Sequence, residues 1–129
     1  MAGRVACSII ATSSVAGVKG QPFLAPYVAA KHGVTGLVKA MANELAERNI
    51  RVNSVHPTGV DTPMAHGLTG IREAVARHPR LGPTHMNTMP DVQMVDPVDV
   101  SNAVLFLASD ESRYVTGLEM RVDAGNTIR

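Results

Sequence analysis

At 129 residues the chain has room for one domain and a modest core, and its 12 Lys and Arg against 11 Asp and Glu leave a formal charge of +1 with no basic stripe or acidic run, which argues against nucleic acid or an anionic surface as a partner. The single cysteine, Cys7, excludes an internal disulfide, and five histidines without the close spacing of a helical metal pair argue against a metal site. No apolar stretch approaches the ~20 residues needed to span a membrane, so no membrane partner is expected and the composition suits a cytoplasmic protein.

Residues 5–12 are small or β-branched and almost continuously apolar, the pattern of a parallel strand buried on both faces. Cys7 sits inside that run and reads as a buried, inert thiol. Gly17, Gly20, Pro22 and Pro26 punctuate the loop that follows, with Pro26 placed as the first residue of a helix beginning at Tyr27. From Val34 the positions Val34, Leu37, Val38, Met41 and Leu45 follow the spacing of an amphipathic helix, with Asn43, Glu44, Glu47 and Arg48 mostly off the stripe. Gly33 and Gly36 each cost about 1 kcal/mol against alanine in a helix interior, which points either to close approach of another backbone or to simple tolerance. Asn49 suits a left-handed helix end.

Ile50–Val55 returns as a second short strand, and strand, long helix, strand is the unit that gives a parallel pair with a right-handed crossover. The fold class is therefore α/β with a parallel sheet. Sites in such sheets lie beyond the carboxyl ends of the strands, and those ends carry Thr12-Ser13-Ser14 and the run from His56 to Thr62. Residues 63–95 hold four prolines, one short helical piece near Ile71–Arg77 and no continuous period, which makes them a candidate substrate lid. Met64, Met86, Met89 and Met94 there either line an adaptable pocket or fill gaps. Asp96, Pro97 and Asp99 mark the start of a helix whose Val100, Ala103, Val104 and Leu107 share a face, with Asp96 as cap. Leu118, Met120 and Val122 alternate with Glu119, Arg121 and Asp123 as a third strand with a partly wet face.

The chemistry concentrates between Ser14 and Lys31. Tyr27 and Lys31 are four residues apart, so on a helix they lie on one face, one turn apart. An ammonium beside a phenol favours the phenolate and lowers a tyrosine pKa from its unperturbed ~10, which makes Tyr27 a candidate acid-base group.

Taken in order, Ser14, Tyr27-Val-Ala-Ala-Lys31, Arg51-Val-Asn-Ser-Val-His-Pro57, Thr62, the Asp96-Pro97 helix, Val115-Thr-Gly117 and Val122-Asp-Ala-Gly125 resemble the C-terminal half of the short-chain dehydrogenase/reductase family, over nearly the whole chain. The wording around Tyr27–Gly33 and Val55–Met64 looks most like the mycofactocin-associated branch, which includes carveol dehydrogenase-like enzymes. The resemblance implies the C-terminal half of a Rossmann-like doubly wound parallel sheet, with three strands and two main helices. It implies hydride transfer between NAD, or NADP, and a small alcohol or ketone, and a homo-oligomer for the full-length family member. By position, Ser14 would polarise the substrate oxygen, Tyr27 would move the proton, and Lys31 would hold the nicotinamide ribose and lower the pKa of Tyr27. Pro57, Thr58, Gly59, Val60 and Thr62 would contact the nicotinamide end, Val60 through its backbone, and Gln21 and Met64 would join Ser14 against the substrate. Thr58 stands where the commoner family pattern has glycine, and Gly59 supplies the freedom instead.

No glycine-rich turn for a pyrophosphate occurs in the chain. The resemblance implies that the first four strands, the adenosine site and a further asparagine of the proton relay lie upstream of Met1. If the chain stands alone, the strand at 5–12 offers an open apolar edge. The rival reading is a catalytically silent module that uses that edge and the long helix to bind a partner.

Overall fold

The computed structural model describes residues 7–129; the first two positions of the expected strand, Val5 and Ala6, lie outside them. Three parallel strands form one sheet, β1 (Cys7–Thr12), β2 (Ile50–Pro57) and β3 (Glu119–Val122), in the order β1-β2-β3. Cys7 aligns with Ile50 and Thr12 with Val55 on one side of β2, and Ser54 aligns with Glu119 on the other. The second strand runs two residues past its expected end and the third is shorter than its alternation suggests.

Helix α1 (Ala25–Leu45) connects β1 to β2 and α4 (Pro97–Ala108) precedes β3, while α2 (Pro63–His66), α3 (Thr69–Arg77) and a 3-10 stretch over Pro79–His85 fill the long segment between. Val52 joins Val38 and Ala42 of α1 in one apolar cluster, and Val55 joins Ala103 and Leu107 of α4 in another. Residues 52 and 55 point to opposite faces of a pleated strand, so the sheet is covered on both sides. The α4 cluster also holds Val100 and Val104, as their spacing implies.

Three expectations are corrected. Cys7 is exposed, because β1 is the edge strand and the α1 cluster reaches along that face only to Ala11. Of the α1 stripe, Val38 is buried and Met41 and Leu45 pack against its cluster as expected, but Leu37 is 57% exposed while Thr35 and Ala42 are buried; small residues let the helix settle closely on β2 and rotate Leu37 outward. Gly33 and Gly36 face open space, with nothing within 4 Å of where a Cβ would stand, so of the two readings offered for them simple tolerance holds. Asp96 occupies the cap position of α4, but its backbone carbonyl, not its carboxylate, takes the Asp99 amide at 3.0 Å. Helix α1 starts two residues before Tyr27, with Pro26 in its first turn. Asn49 is left-handed as expected, at φ 57°.

The Arg51-Val-Asn tract is mainly structural. Arg51 Nη1 donates to the Leu107 carbonyl at 2.9 Å and Nη2 to that of Ser109 at 3.2 Å, placing a cation on the free carbonyls at the end of α4. Asn53, fully buried, donates to the Val115 carbonyl at 2.9 Å and accepts the Leu118 amide at 2.9 Å.

Candidate active site

Ser14 follows the carboxyl end of β1, held in a way that leaves its hydroxyl proton available. Its Oγ accepts the Ala16 amide at 3.1 Å as cap of the 3-10 turn Val15–Gly17. An oxygen that accepts there still has its own O–H to donate. The Ser14 carbonyl lies 2.8 Å from His56 Nδ1 at the far end of β2, and the Ser13 amide donates to the Val55 carbonyl at 2.8 Å. The two chemical stretches at the strand ends are therefore in contact.

His56 is fully buried, and its tautomer follows from its partners. A carbonyl only accepts, so Nδ1 carries the proton toward Ser14 and Nε2 accepts from the Ser54 hydroxyl at 2.7 Å. Burial pushes its pKa below the ordinary imidazole value, against the pull of the Ser14 carbonyl. His56 is thus a neutral brace behind Ser14. Its motif was visible in the sequence, its bracing role was not.

Tyr27 and Lys31 occupy the first two turns of α1. Lys31 Nζ stands 5.6 Å from the centroid of the Tyr27 ring and donates to the Thr12 carbonyl at 3.1 Å, so the four-residue spacing brings the pair together as helix geometry requires. The start of the helix is bolted to the loop after β1. Ser13 Oγ donates to the Lys31 carbonyl at 3.1 Å, and the Thr35 hydroxyl lies 2.9 Å from that carbonyl and 3.0 Å from the Gly17 carbonyl. The fit is so close that a Cβ on Gly17 would stand 2.2 Å from Ser13 Oγ.

A cavity of about 460 Å³ opens over these groups, with Ser14, Gln21, Tyr27, Thr58, Gly59 and Met64 in its wall. Leu24, Leu68 and Ile71 add apolar lining, and His85 also borders it. Lys31, Pro57, Val60 and Thr62 are not part of that wall. Of the four methionines, Met64 alone lines this cavity; Met86 and Met89 face a separate outer groove.

Val60 forms an isolated parallel bridge with Val95 that closes the two ends of the 62–94 segment. The bridge uses the Gly59 carbonyl and the Asp61 amide, so the amide and carbonyl of Val60 itself face the other way. Thr62 Oγ1 donates to the Val60 carbonyl at 3.3 Å and caps α2. Thr58 donates to Asn87 Oδ1 at 2.8 Å; Asn126, fully buried, donates to the same oxygen at 3.1 Å and accepts Lys19 Nζ at 3.2 Å. Burial lowers the pKa of Lys19, partly offset by the charge of Asp123. This polar chain ties the loop after β2, the 86–93 stretch and the C-terminal turn together. Sequence reasoning missed Asn87 and Asn126, whose only signal was the position of Asn126 after Val122-Asp-Ala-Gly125.

The chain matches the family model described as enoyl-(acyl carrier protein) reductase over residues 1–127. It is 51% identical over 130 residues to a putative short-chain type dehydrogenase/reductase of Mycolicibacterium smegmatis, covering 95% of this chain and 46% of that protein. It is 45% identical over 136 residues to (-)-trans-carveol dehydrogenase of Rhodococcus erythropolis, covering 100% of this chain and 49% of that one. Among solved structures, a short-chain dehydrogenase from Mycobacterium paratuberculosis bound to NAD superposes with a TM-score of 0.89 at 46% identity, over 95% of this chain and 45% of its own. The chain spans about half the length of the relatives it matches. With the ordered motifs, the parallel sheet and these matches in agreement, the chain belongs to the short-chain dehydrogenase/reductase family.

Proposed function

We propose that this chain supplies the proton-handling half of an NAD-dependent oxidoreductase acting on a cyclic secondary alcohol or its ketone. The observation that carries the reading is the single cavity walled by Ser14 and Tyr27, with Lys31 against the tyrosine ring. The apolar side formed by Leu24, Leu68 and Ile71 suits a hydrocarbon ring, and a relative is named for carveol, a cyclic alcohol. The mycofactocin-associated branch is the finer assignment that the wording around Tyr27 and Val55 supports.

The residues present fit one end of the cofactor. The outward backbone of Val60 suits a carboxamide, and Lys31, beside Thr12 and Tyr27, suits a ribose hydroxyl; a pyrophosphate cradle is not among them. When bound, NAD supplies the hydride acceptor. In the oxidation direction Tyr27 takes the proton of the substrate hydroxyl while Ser14 O–H donates to the same oxygen. Lys31 places positive charge beside the phenol, and His56 keeps the Ser14 backbone in register. The 63–95 segment, hinged at the Val60–Val95 bridge, acts as lid.

Tyr27→Phe keeps the ring and its contact with Lys31 but removes the hydroxyl. With NAD and cyclohexanol, in the chain joined to the upstream segment that its relatives possess, turnover should fall by about 10²–10⁴-fold with the circular dichroism spectrum unchanged. Retained turnover would overturn the proposal. The exposed edge of β1, with Cys7 and Ile9 uncovered, supports the second reading, a partner-binding module; turnover that depends on Tyr27 decides against it as the sole role.

A further inference from the structure

We infer that Asn87 is a positioning residue for the nicotinamide end of the cofactor: without lining the cavity itself, its side chain holds the two arms of the loop that carries Val60. The inference rests on the dehydrogenase reading of the cavity above.

Asn87 borders the outer groove and is not part of the cavity wall, yet its side-chain amide is fully engaged. One end meets the Thr58 hydroxyl at 2.8 Å and Asn126 Nδ2 at 3.1 Å; the other meets the Val92 carbonyl at 2.8 Å and the Gln93 carbonyl at 3.3 Å. Carbonyls only accept, so the nitrogen faces Val92 and Gln93, and the oxygen takes the two donors. That order of partners suits asparagine and neither of its near-isosteres. Aspartate has no proton for the two carbonyls, and leucine can serve none of the four groups.

These partners lie on the two arms that the Val60–Val95 bridge joins. Thr58 opens the outgoing arm, and its amide extends the sheet by donating to the Val122 carbonyl at 3.1 Å. Val92 and Gln93 lead into the returning arm, where the Val95 amide donates to the Gly59 carbonyl at 2.9 Å and the Val95 carbonyl accepts the Asp61 amide at 3.0 Å. Asn87 thus links the arms a second time, close to the bridge. It holds Thr58 and Gln93, both in the cavity wall, as one unit with Gly59. Asn126 backs the link: fully buried, it donates also to the Met86 carbonyl at 3.2 Å and accepts Lys19 Nζ at 3.2 Å. Val60 offers backbone groups, and these are aimed only by the residues on either side. A loop fixed before the cofactor arrives loses less freedom on binding, so this frame contributes affinity without contact.

The test uses the chain joined to the upstream segment that its relatives possess, and compares NAD with ADP-ribose, which lacks only the nicotinamide. In titration calorimetry Asn87→Ala should weaken NAD binding at least about tenfold and leave ADP-ribose binding within about twofold. A purely structural role would move the two together. Thr58→Val removes the hydroxyl that Asn87 holds and should give the same selective loss, Thr58→Ser should recover it, and the losses of Thr58→Val and Asn87→Ala should not add in the double variant. Unchanged NAD binding in Asn87→Ala, ADP-ribose binding that weakens in step, or additive losses overturn the inference and leave the dehydrogenase reading standing. If the unsubstituted joined chain does not bind NAD, the dehydrogenase reading fails and the inference with it. Where Asn87→Ala does not fold, the other pair decides: equal NAD affinity in Thr58→Val and Thr58→Ser overturns the inference.

Discussion

His56 joins the ends of two strands through side-chain chemistry, taking the Ser54 hydroxyl on one nitrogen and giving a proton to the Ser14 carbonyl on the other. Its stability contribution depends on pH in a definite sense. The unfolded ring titrates near pH ~6.5, and burial lowers the folded value. Between the two the unfolded state holds more protons, so stability rises with pH there; the contribution is complete above the unfolded value and is lost as pH falls through the folded one. His85 shifts in the same direction. The urea midpoint should therefore fall between about pH 7.5 and about pH 5.5, and the fall should shrink clearly in His56→Asn, which should also cost about 1–3 kcal/mol at neutral pH by leaving a buried partner unpaired. Equal midpoints at the two pH values in the unsubstituted chain would refute this. Glu119, whose carboxylate is hydrogen-bonded by Lys39, is also shifted down, so its loss belongs to more acid conditions. At this scale the sequence showed the reacting groups better than their supports. Ser14, Tyr27 and Lys31 stand out because their chemistry and local spacing do, whereas the Ser14 carbonyl that His56 holds lies 42 positions from it and the partner of Thr58 lies 29 away, and no local pattern encodes such pairs.

Helix α1 shows the same division one level up. Its existence follows from periodicity, but its rotation is set by what it packs against. Thr35 turns inward because its hydroxyl meets the Lys31 and Gly17 carbonyls, and Leu37 turns outward in consequence. A hydropathy stripe cannot rank a threonine above a leucine for burial; only the polar seam beneath the helix does so. The glycines divide accordingly. At Gly17 a Cβ would also stand 2.7 Å from Thr35 Oγ1 and 2.9 Å from the Lys31 carbonyl, so Gly17→Ala forces the start of α1 away from the loop and should cost about 1–3 kcal/mol, with loss of the Tyr27 and Ser14 alignment. Gly36 meets nothing, and Gly36→Ala should raise stability by about 0.5–1 kcal/mol through helix propensity alone. Urea denaturation of the two variants checks both signs, and a destabilised Gly36→Ala would reveal a contact that the structure does not show.

At the scale of the whole molecule, the parallel sheet was legible because strand, long helix and strand admit few arrangements, and the cavity was legible as a place because such sheets bind at their carboxyl edge. The helices within 63–95 were only partly so: one short piece was visible, while α2 and the 3-10 stretch are fixed by contacts such as the Val60–Val95 bridge. The edge of the sheet has a consequence for the chain on its own. Among the described residues β2 is paired on both sides and β1 on one, and on that edge Cys7 is exposed and Ile9 is 37% exposed. An uncovered apolar strand edge is a template for another strand, so the isolated chain should self-associate as its concentration rises, and Cys7 should then react more slowly with a thiol reagent because the partner shields it. Ile9→Lys places a charge on the edge and should move association, read by sedimentation velocity, to higher concentration while Cys7 labelling stays fast throughout. A chain that remains monomeric, with labelling independent of concentration, would mean that the edge is already protected.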